Sequence, residues 1–313
     1  MTVAYRWVLW GGAAVVAVLA AIVVGAALAG RPEMPAEMQW LGLGAFWGVW
    51  LPVAAGLLLT WFLAGRTGQA ELHRRTETAL MGHPIVGELG VLLASLVGYI
   101  AAGIGLYQLF KLVIEDIPPG IGLPVARIVF LFLIPVLLVD RGGFTVSGHS
   151  TAMPGLAMRV REPWRWLGLV TVAVCVALAS LDIGEVALAG VRTVLFSVAV
   201  AAAVCMIEEI FFRGMVQTRL ELLMGRAPAV VLTALLFAGA HAVSGHFNPR
   251  NPLSYVGFIE GAGASVLTFG LLGLLLGYVW VRYRNIWVNA LLYTGLVVAG
   301  MLPVAYADQI PFS

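Results

Sequence analysis

Residues 194–213 read VLFSVAVAAAVCMIEEIFFR, an apolar run that ends in two adjacent glutamates, Glu208 and Glu209, with Arg213 four residues further on. A segment of this length and composition is typical of a membrane helix, since about 20 apolar residues cross the hydrocarbon core. Charged side chains are expensive at that depth, so each one is a candidate functional residue. This stretch therefore indicates both the class of fold and where a functional site lies.

The rest of the chain has the composition of a membrane protein. Of its 313 residues, 61% are hydrophobic and only 11% are charged, a balance outside the range of soluble domains. The sequence predicts an all-α fold, a polytopic membrane helix bundle of about eight or nine transmembrane helices. A β-barrel is disfavoured because its strands would alternate polar and apolar residues. The predicted spans are residues 7–30, 40–65, 85–110, 120–139, 166–181, 188–212, 227–243, 262–281 and 286–305.

The distribution of arginines predicts an orientation, because positively charged loops remain cytoplasmic. Arginines concentrate in every second predicted loop, which places the N-terminus of this multi-pass protein in the cytoplasm. A single lysine beside many arginine, alanine and glycine residues is typical of a bacterial chain, so the expected location is a bacterial inner membrane. The cytoplasmic positions are Arg6, Arg66, Arg74, Arg75, Arg141, Arg159, Arg161, Arg165, Arg213, Arg219, Arg226, Arg282 and Arg284. The net charge of +2 gives no reason to expect a nucleic-acid partner.

Two features divide the chain. A polar loop, 140–165, separates N-terminal membrane helices of unassigned role, 1–165, from a second bundle, 166–313, which holds the candidate chemistry. Segment 65–83 mixes charges with Leu72 and Leu80, a pattern that fits either an interfacial amphipathic helix or a solvated loop.

The two glutamates differ in their local surroundings. Glu209 precedes Arg213 by four residues, the favourable order for an ion pair along one helix face. Glu208 is rotated by about 100° and has no partner nearby in the sequence, which suits it to act as a general base toward water. The alternative is that both acids lie at the membrane interface and only cap the span.

The next predicted helix carries Phe237 and His241 on one face. If the chain turns near Gly225, Glu208 and His241 both lie about 16 residues, or about 24 Å, from the turn. Antiparallel helices would then bring the carboxylate and the imidazole to the same depth. A membrane histidine is usually structural, but at this level it forms a plausible water-binding pair with Glu208.

Other chemistries have less support. The sequence contains no His-Glu-x-x-His zinc motif, and no cofactor is expected. A metal bound at Glu208 and His241 stays open, although it would need a further ligand such as His246. Glu88 and Arg127 lie near the ends of their spans, where we expect them to reach the interface and be structural.

The two motifs resemble those of the CAAX prenyl protease and bacteriocin-processing family of glutamate-type intramembrane endopeptidases. That family has Glu-Glu-x-x-x-Arg and then Phe-x-x-x-His on the next helix, which match Glu208 to Arg213 and Phe237 to His241 here. The resemblance covers roughly residues 191–303. It implies that Glu208 activates the attacking water, that His241 helps to hold it, and that Glu209, Arg213 and Phe237 support the site.

The last helix departs from the family pattern. The family usually has a histidine there, followed four residues later by an asparagine, and both are thought to stabilise the oxyanion. Tyr293 and Val297 occupy these positions, so the candidate donors are Tyr293, Asn289 and His246. Loss of one such donor typically lowers the rate by a factor of about 100 to 1000.

The sequence therefore predicts an intramembrane endopeptidase in which a Glu-activated water hydrolyses a peptide bond of a membrane-associated or peptide substrate. The expected partners are this substrate and the lipid bilayer, and the oligomeric state stays open. Two alternatives are a non-catalytic membrane scaffold or immunity protein of the same family and a proton- or cation-coupled transporter, in which the acids would carry the ion.

Overall fold

The computed structural model describes residues 7–15, 17–18, 46–64, 66–113, 122–139, 153–182, 191–246 and 258–301. All regular elements in these ranges are helical, as the sequence predicts. We number ten helices from the first complete one: α1 (Phe46–Trp50 and Leu51–Leu63), α2 (Arg66–Ala79), α3 (Ile85–Val113), α4 (Gly122–Ala126 and Arg127–Leu133), α5 (Met153–Met158), α6 (Gly168–Ala179), α7 (Val191–Glu209, Ile210–Gln217 and Thr218–Met224), α8 (Arg226–His246), α9 (Phe258–Ser265, Val266–Gly270 and Leu271–Tyr283) and α10 (Ile286–Met301).

Long apolar helices make the chain an integral membrane protein, but the predicted count of eight or nine spans is not confirmed. Among the described residues, four helices are long and apolar enough to cross a membrane: Ile85–Leu106, Gly122–Val139, Arg226–Gly245 and Gly261–Tyr283. The bent pair formed by α1 and α2 would make a fifth. The first predicted span, 7–30, lies mostly outside the described residues. Two others are shorter apolar helices, Pro163–Ala179 and Ile286–Ala299.

Segment 65–83 is mainly helical, so the interpretation as a solvated loop is wrong. Helix α2 turns away from α1 by 98° and buries Leu72 while Arg74 remains exposed. Gly68 permits this docking, because a Cβ atom there would lie 2.5 Å from the Trp164 ring. The helix is therefore amphipathic and packed on the bundle.

Two tight connections set the register of the helices that form the candidate site. Gly225 joins α7 to α8 with φ of 83°, a left-handed conformation that glycine adopts without strain. Arg284, with φ of 47°, joins α9 to α10. Asn285 then caps α10, since its side-chain oxygen accepts the backbone N–H groups of Trp287 and Val288 at 3.1 and 3.4 Å.

Wide π-helical turns occur beside the candidate site in three helices. The π segment of α4 begins at Arg127, that of α7 begins directly after Glu209, and that of α9 contains Phe269. Such turns are rare in α-helices and often lie at functional sites, because the extra residue changes the direction of the side chains around it.

Four of the arginines that predicted the orientation do not lie in exposed loops. Arg165, Arg213, Arg219 and Arg284 are each at most 2% exposed. An arginine whose guanidinium is buried in the bundle makes polar contacts there, so its position does not indicate which side of the membrane a loop is on. The orientation therefore depends on the other arginines.

Candidate active site

Glu208 lies at the centre of a buried polar group contributed by four helices. The residue is buried, and its two oxygens face different partners. Arg127 of α4 places Nε 2.8 Å from Oε1, whereas the Tyr293 hydroxyl of α10 donates to Oε2 at 2.7 Å. The Nε2 atom of His241 on α8 lies 3.7 Å from the same Oε2. The contact with Arg127 is a charge pair, since its Nε–H is not aligned for a hydrogen bond.

The imidazole of His241 is held in one orientation. Its Nδ1 atom lies 3.0 Å from the backbone carbonyl of Phe237, which can only accept, so Nδ1 carries the proton. In the neutral ring, Nε2 is then an acceptor. The nearest hydroxyl, that of Tyr293 at 3.3 Å, has one proton and directs it to Glu208. Nε2 and Glu208 Oε2 are therefore two neighbouring acceptors, an arrangement that suits a bound water.

Glu209 has different partners and a different role in the packing. It is fully buried, and its Oε1 atom lies 3.3 Å from Nη1 of Arg213, as the i, i+4 spacing predicts. Its Oε2 atom accepts a hydrogen bond of 2.9 Å from Asn289, whose amide nitrogen also donates to the Leu276 carbonyl. Glu209 thus joins α7 to α10.

Aromatic rings enclose the histidine and the buried guanidinium. Phe269 stacks on the His241 ring at 4.1 Å, and Phe237 contacts the same ring at 4.4 Å. The guanidinium of Arg213 lies 4.6 Å from the Phe237 ring centre, within the range of a cation–π interaction. Phe237 therefore supports both motifs, whereas Phe269 has no sequence signal that would have identified it.

The structure brings together most of the residues that the sequence singled out. The predicted proximity of Glu208 and His241 is confirmed, and so is the pairing of Glu209 with Arg213. Tyr293 and Asn289 both point to the glutamates, and Asn289 does not cap its helix because Asn285 does. The side chain of His246 lies outside the described residues.

Two expectations were wrong, those that Arg127 and Glu88 reach the interface. Arg127 instead meets Glu208 inside the bundle, and so gives this glutamate a partner that is distant in the sequence. Glu88 likewise turns inward, where its Oε2 atom accepts a 2.6 Å hydrogen bond from the buried Arg219. The sequence does not predict either pair, because each joins helices that are far apart in the chain.

The described residues contain no group of three or more His, Cys, Asp or Glu side chains that could hold a metal ion. Glu208, Glu209 and His241 therefore do not converge on one point. The two acids use their oxygens on separate partners, Arg127 and Tyr293 for one and Arg213 and Asn289 for the other.

Comparison with known proteins supports the resemblance drawn from the motifs. The family model described as Type II CAAX prenyl endopeptidase Rce1-like matches residues 190–298, which are 109 of the 313 residues. Searches of curated proteins and of solved structures found no match. The matched segment contains both motifs and Tyr293, but not Arg127. Residues 190–298 of this chain are therefore similar to the Type II CAAX prenyl endopeptidase Rce1-like family.

Proposed function

We propose that this protein is a glutamate-type intramembrane endopeptidase that hydrolyses a peptide bond in a membrane-associated substrate. The observation that carries the proposal is the meeting of Glu208, His241 and Tyr293, three side chains from three helices, in one buried group. The match of residues 190–298 to a peptidase family supports peptidase chemistry in general. The assignment of roles below comes from the geometry.

Water is the nucleophile in this mechanism. It donates one hydrogen bond to Glu208 Oε2 and one to His241 Nε2, which lie 3.7 Å apart, so a single water can reach both at normal hydrogen-bond lengths. As the water oxygen attacks the scissile carbonyl carbon, its proton passes to Glu208. The carbonyl oxygen becomes an oxyanion, and the proton later moves from Glu208 to the leaving amine.

Tyr293 is the proposed oxyanion donor. Its proton binds the ionised Glu208 before reaction. Once Glu208 has taken a proton from water, it is neutral and accepts a hydrogen bond more weakly. The hydroxyl is then available to the oxyanion that forms beside it. A tyrosine thereby replaces the histidine that the family usually has on this helix.

Loss of the Glu208 carboxylate tests this function. We expect the full-length protein in liposomes to cleave members of a library of membrane-anchored peptides, with products identified by mass spectrometry. Glu208→Gln should abolish the products, whereas Glu77→Gln, the same change on an exposed part of α2, should not. Equal cleavage by Glu208→Gln would refute the proposal. Cleavage should also persist with a metal chelator, and its loss would indicate a metal-dependent reaction.

A non-catalytic scaffold or immunity role is the second candidate. It is favoured by the neutralisation of Glu208 by Arg127 and by the absence of the usual histidine and asparagine at Tyr293 and Val297. A scaffold requires the folded chain but does not require Glu208 as a general base. In cells that lack the gene, the Glu208→Gln chain would then restore the phenotype as well as the original protein, whereas a protease requires Glu208.

For the location, we propose a bacterial inner membrane with the N-terminus in the cytoplasm. Three segments predicted to be cytoplasmic meet in the fold, which supports their placement on one side. Arg75 of α2 pairs with Glu162 before α6 at 2.5 Å, and Arg282 at the end of α9 donates to Gln69 of α2 at 2.6 Å. Labelling of a cysteine introduced at Arg74 by a membrane-impermeant reagent should occur only in inverted vesicles.

A further inference from the structure

Arg127 lies outside the segment that matches the protease family and is nevertheless the closest cation to Glu208. Its Nε atom is 2.8 Å from Glu208 Oε1, while Arg213 is paired with the neighbouring Glu209. Both partners are largely buried, with the Arg127 side chain 16% exposed and that of Glu208 2% exposed. In such surroundings an opposite charge at this distance strongly favours the ionised carboxylate.

The guanidinium of Arg127 is itself fixed in place. Its Nη2 atom donates to the hydroxyl of Tyr99 on α3 at 3.1 Å, and its central carbon, Cζ, lies 5.6 Å from the centre of the Tyr99 ring. Tyr99 is 2% exposed. Two helices of the N-terminal part therefore hold a positive charge against one oxygen of a glutamate in the family segment.

The contacts divide the two oxygens of Glu208 between different tasks. Oε1 faces Arg127, which leaves Oε2 as the atom that faces His241 and Tyr293. Without the Arg127 contact, only the Tyr293 hydroxyl would restrain rotation of the carboxylate about its terminal torsion, which is broad in glutamate. The reacting oxygen would then be fixed less firmly.

We propose that Arg127 is a positioning residue, which holds Glu208 ionised with Oε2 directed to the water shared with His241. This inference rests on the proposed function of Glu208 as general base. It also assigns a role to the N-terminal helices, because α3 and α4 complete a site that the family segment does not complete alone.

Other charged or titratable groups around Glu208 do not replace Arg127. His241 of α8 and Tyr293 of α10 both lie beside Oε2, the oxygen that faces the proposed water. Within α7 itself, Cys205 is buried and uncharged in its ordinary form, Glu209 repels Glu208, and Arg213 is occupied by Glu209. Arg127 is thus the counter-charge of Glu208 among these groups.

The test measures cleavage of a peptide that the original protein cleaves, as a function of pH, for full-length variants in liposomes. For Arg127→Gln we expect kcat to fall about 10- to 100-fold, less than the full effect of a general base, which is about 100- to 10,000-fold. The KM should change little, because Arg127 does not contact the substrate. The acid limb of the pH–rate profile should move to higher pH, since a neighbouring cation no longer favours the carboxylate.

Arg127→Lys retains the charge and should return the acid limb most of the way to its original position. Arg282→Gln makes the same change where the arginine contacts Gln69 and Tyr278, and it should leave kcat and the pH profile unchanged. An unchanged pH profile in Arg127→Gln would overturn the inference. So would a lowered kcat that Arg127→Lys fails to restore in part, because that result indicates a packing role only.

If Arg127→Gln does not accumulate, Tyr99→Phe gives an independent reading, since it removes only the hydroxyl that fixes the guanidinium. We then expect a smaller fall in kcat and a smaller shift of the acid limb in the same direction, and no shift would overturn the inference. The Glu208→Gln variant distinguishes failure of the proposed function from failure of the role proposed for Arg127. Cleavage by that variant refutes the proposed function, whereas loss of cleavage there with a normal Arg127→Gln refutes only the role of Arg127.

Discussion

Helix α7 carries two buried polar clusters, and only one of them has the features of a reaction centre. The site cluster consists of Arg127, Glu208, Glu209, Arg213, His241, Asn289 and Tyr293. The anchor cluster, further along α7, consists of Gln217, Thr218, Glu221, Trp280 and Arg284. Both contain a fully buried arginine and a glutamate. The site cluster joins α7 to α9 and α10, whereas the anchor cluster joins α7 to α9 and to Arg284 in the connection before α10.

The clusters differ in how their acids are used. In the anchor cluster, Glu221 accepts hydrogen bonds from Gln217 at 2.9 Å and from Arg284, so both oxygens are engaged by protein donors. In the site cluster, Glu208 Oε2 lies beside the acceptor nitrogen of His241, and the single phenolic proton of Tyr293 goes to Glu208, so the His241 nitrogen receives none from it. Burial and charge therefore do not identify a reaction centre. What identifies one here is a pair of neighbouring acceptors that can bind the same water.

The largest effect should come from removing the acid of each cluster in turn. We expect Glu208→Gln to lower turnover per folded molecule by about 100- to 10,000-fold, the range of general base catalysis. Glu221→Gln should leave turnover per folded molecule unchanged. It should instead lower the free energy of unfolding by about 3–5 kcal/mol, because Arg284 remains buried without a counter-charge.

Measurement of the folded fraction by gel filtration in detergent, together with the peptide assay, separates the two effects. Glu208→Gln also leaves a buried arginine, Arg127, without its partner, so some loss of folded protein is expected there too. A Glu208→Gln variant with normal turnover, or a Glu221→Gln variant that is stable but inactive, would reverse the assignment of the two clusters.

The next effect distinguishes the two polar residues that α10 contributes to the site cluster. Tyr293→Phe keeps the ring and removes the proposed oxyanion donor, so turnover should fall by about 100- to 1000-fold. Asn289→Ala removes the donor to Glu209 and should lower folded protein more than it lowers turnover of the folded part. Asn289 serves as the matched position, since it lies one turn earlier on the same face. A normal rate for Tyr293→Phe would exclude its hydroxyl as the donor.

The sequence predicted those parts of the site cluster that depend on local spacing. Glu209 and Arg213 are four residues apart, as are Phe237 and His241, so helical periodicity alone places each pair on one face. The equal distance of Glu208 and His241 from Gly225 then predicted their proximity, which requires only a rise per residue and an antiparallel hairpin.

The sequence did not predict contacts between helices that are distant in the chain. Arg127 was interpreted as a residue near the end of a span, because nothing in the sequence shows which face of α4 packs against α7. The stacking of Phe269 on His241 was not predicted for the same reason, because it depends on which face of α9 packs against α8. The predicted division into 1–165 and 166–313 stays a prediction, although the pair of Arg127 and Glu208 joins its two parts.

A smaller effect is expected where α9 passes closest to α8. A Cβ atom on Gly273 would lie 3.0 Å from the backbone Cα of Ala234, whereas one on Gly239 would meet nothing within 4 Å. Gly273→Ala should therefore force the helices apart and cost about 1–3 kcal/mol. The Gly273 carbonyl also accepts from Arg213 at 3.4 Å, so turnover should fall as well. Gly239→Ala, a change within the second motif, should lower neither thermal stability nor turnover.

The smallest effect concerns the outer edge of the anchor cluster, where Arg165 donates to the Arg284 carbonyl and to Glu162. Partial burial raises the pKa of Glu162, but hydrogen bonds from Arg75 and Arg165 outweigh it and lower that pKa from 4.5 to about 2. A lowered pKa in the folded state means that the contribution to stability is present above about pH 4.5 and is lost as the pH falls toward 2. Because Glu162 is partly exposed, its ion pair with Arg75 contributes less than about 1 kcal/mol to the attachment of α2.

Hydrogen exchange of residues 66–79 should therefore show protection at pH 7 that weakens as the pH falls from about 4.5 toward 2, after correction for the intrinsic exchange rate. Glu162→Gln should show the weaker protection already at pH 7, and Glu77→Gln, a change at a residue whose side-chain contact with His73 stays within α2, should not. Protection that is the same in Glu162→Gln and the original protein would show that α2 is held by its apolar face and not by this ion pair.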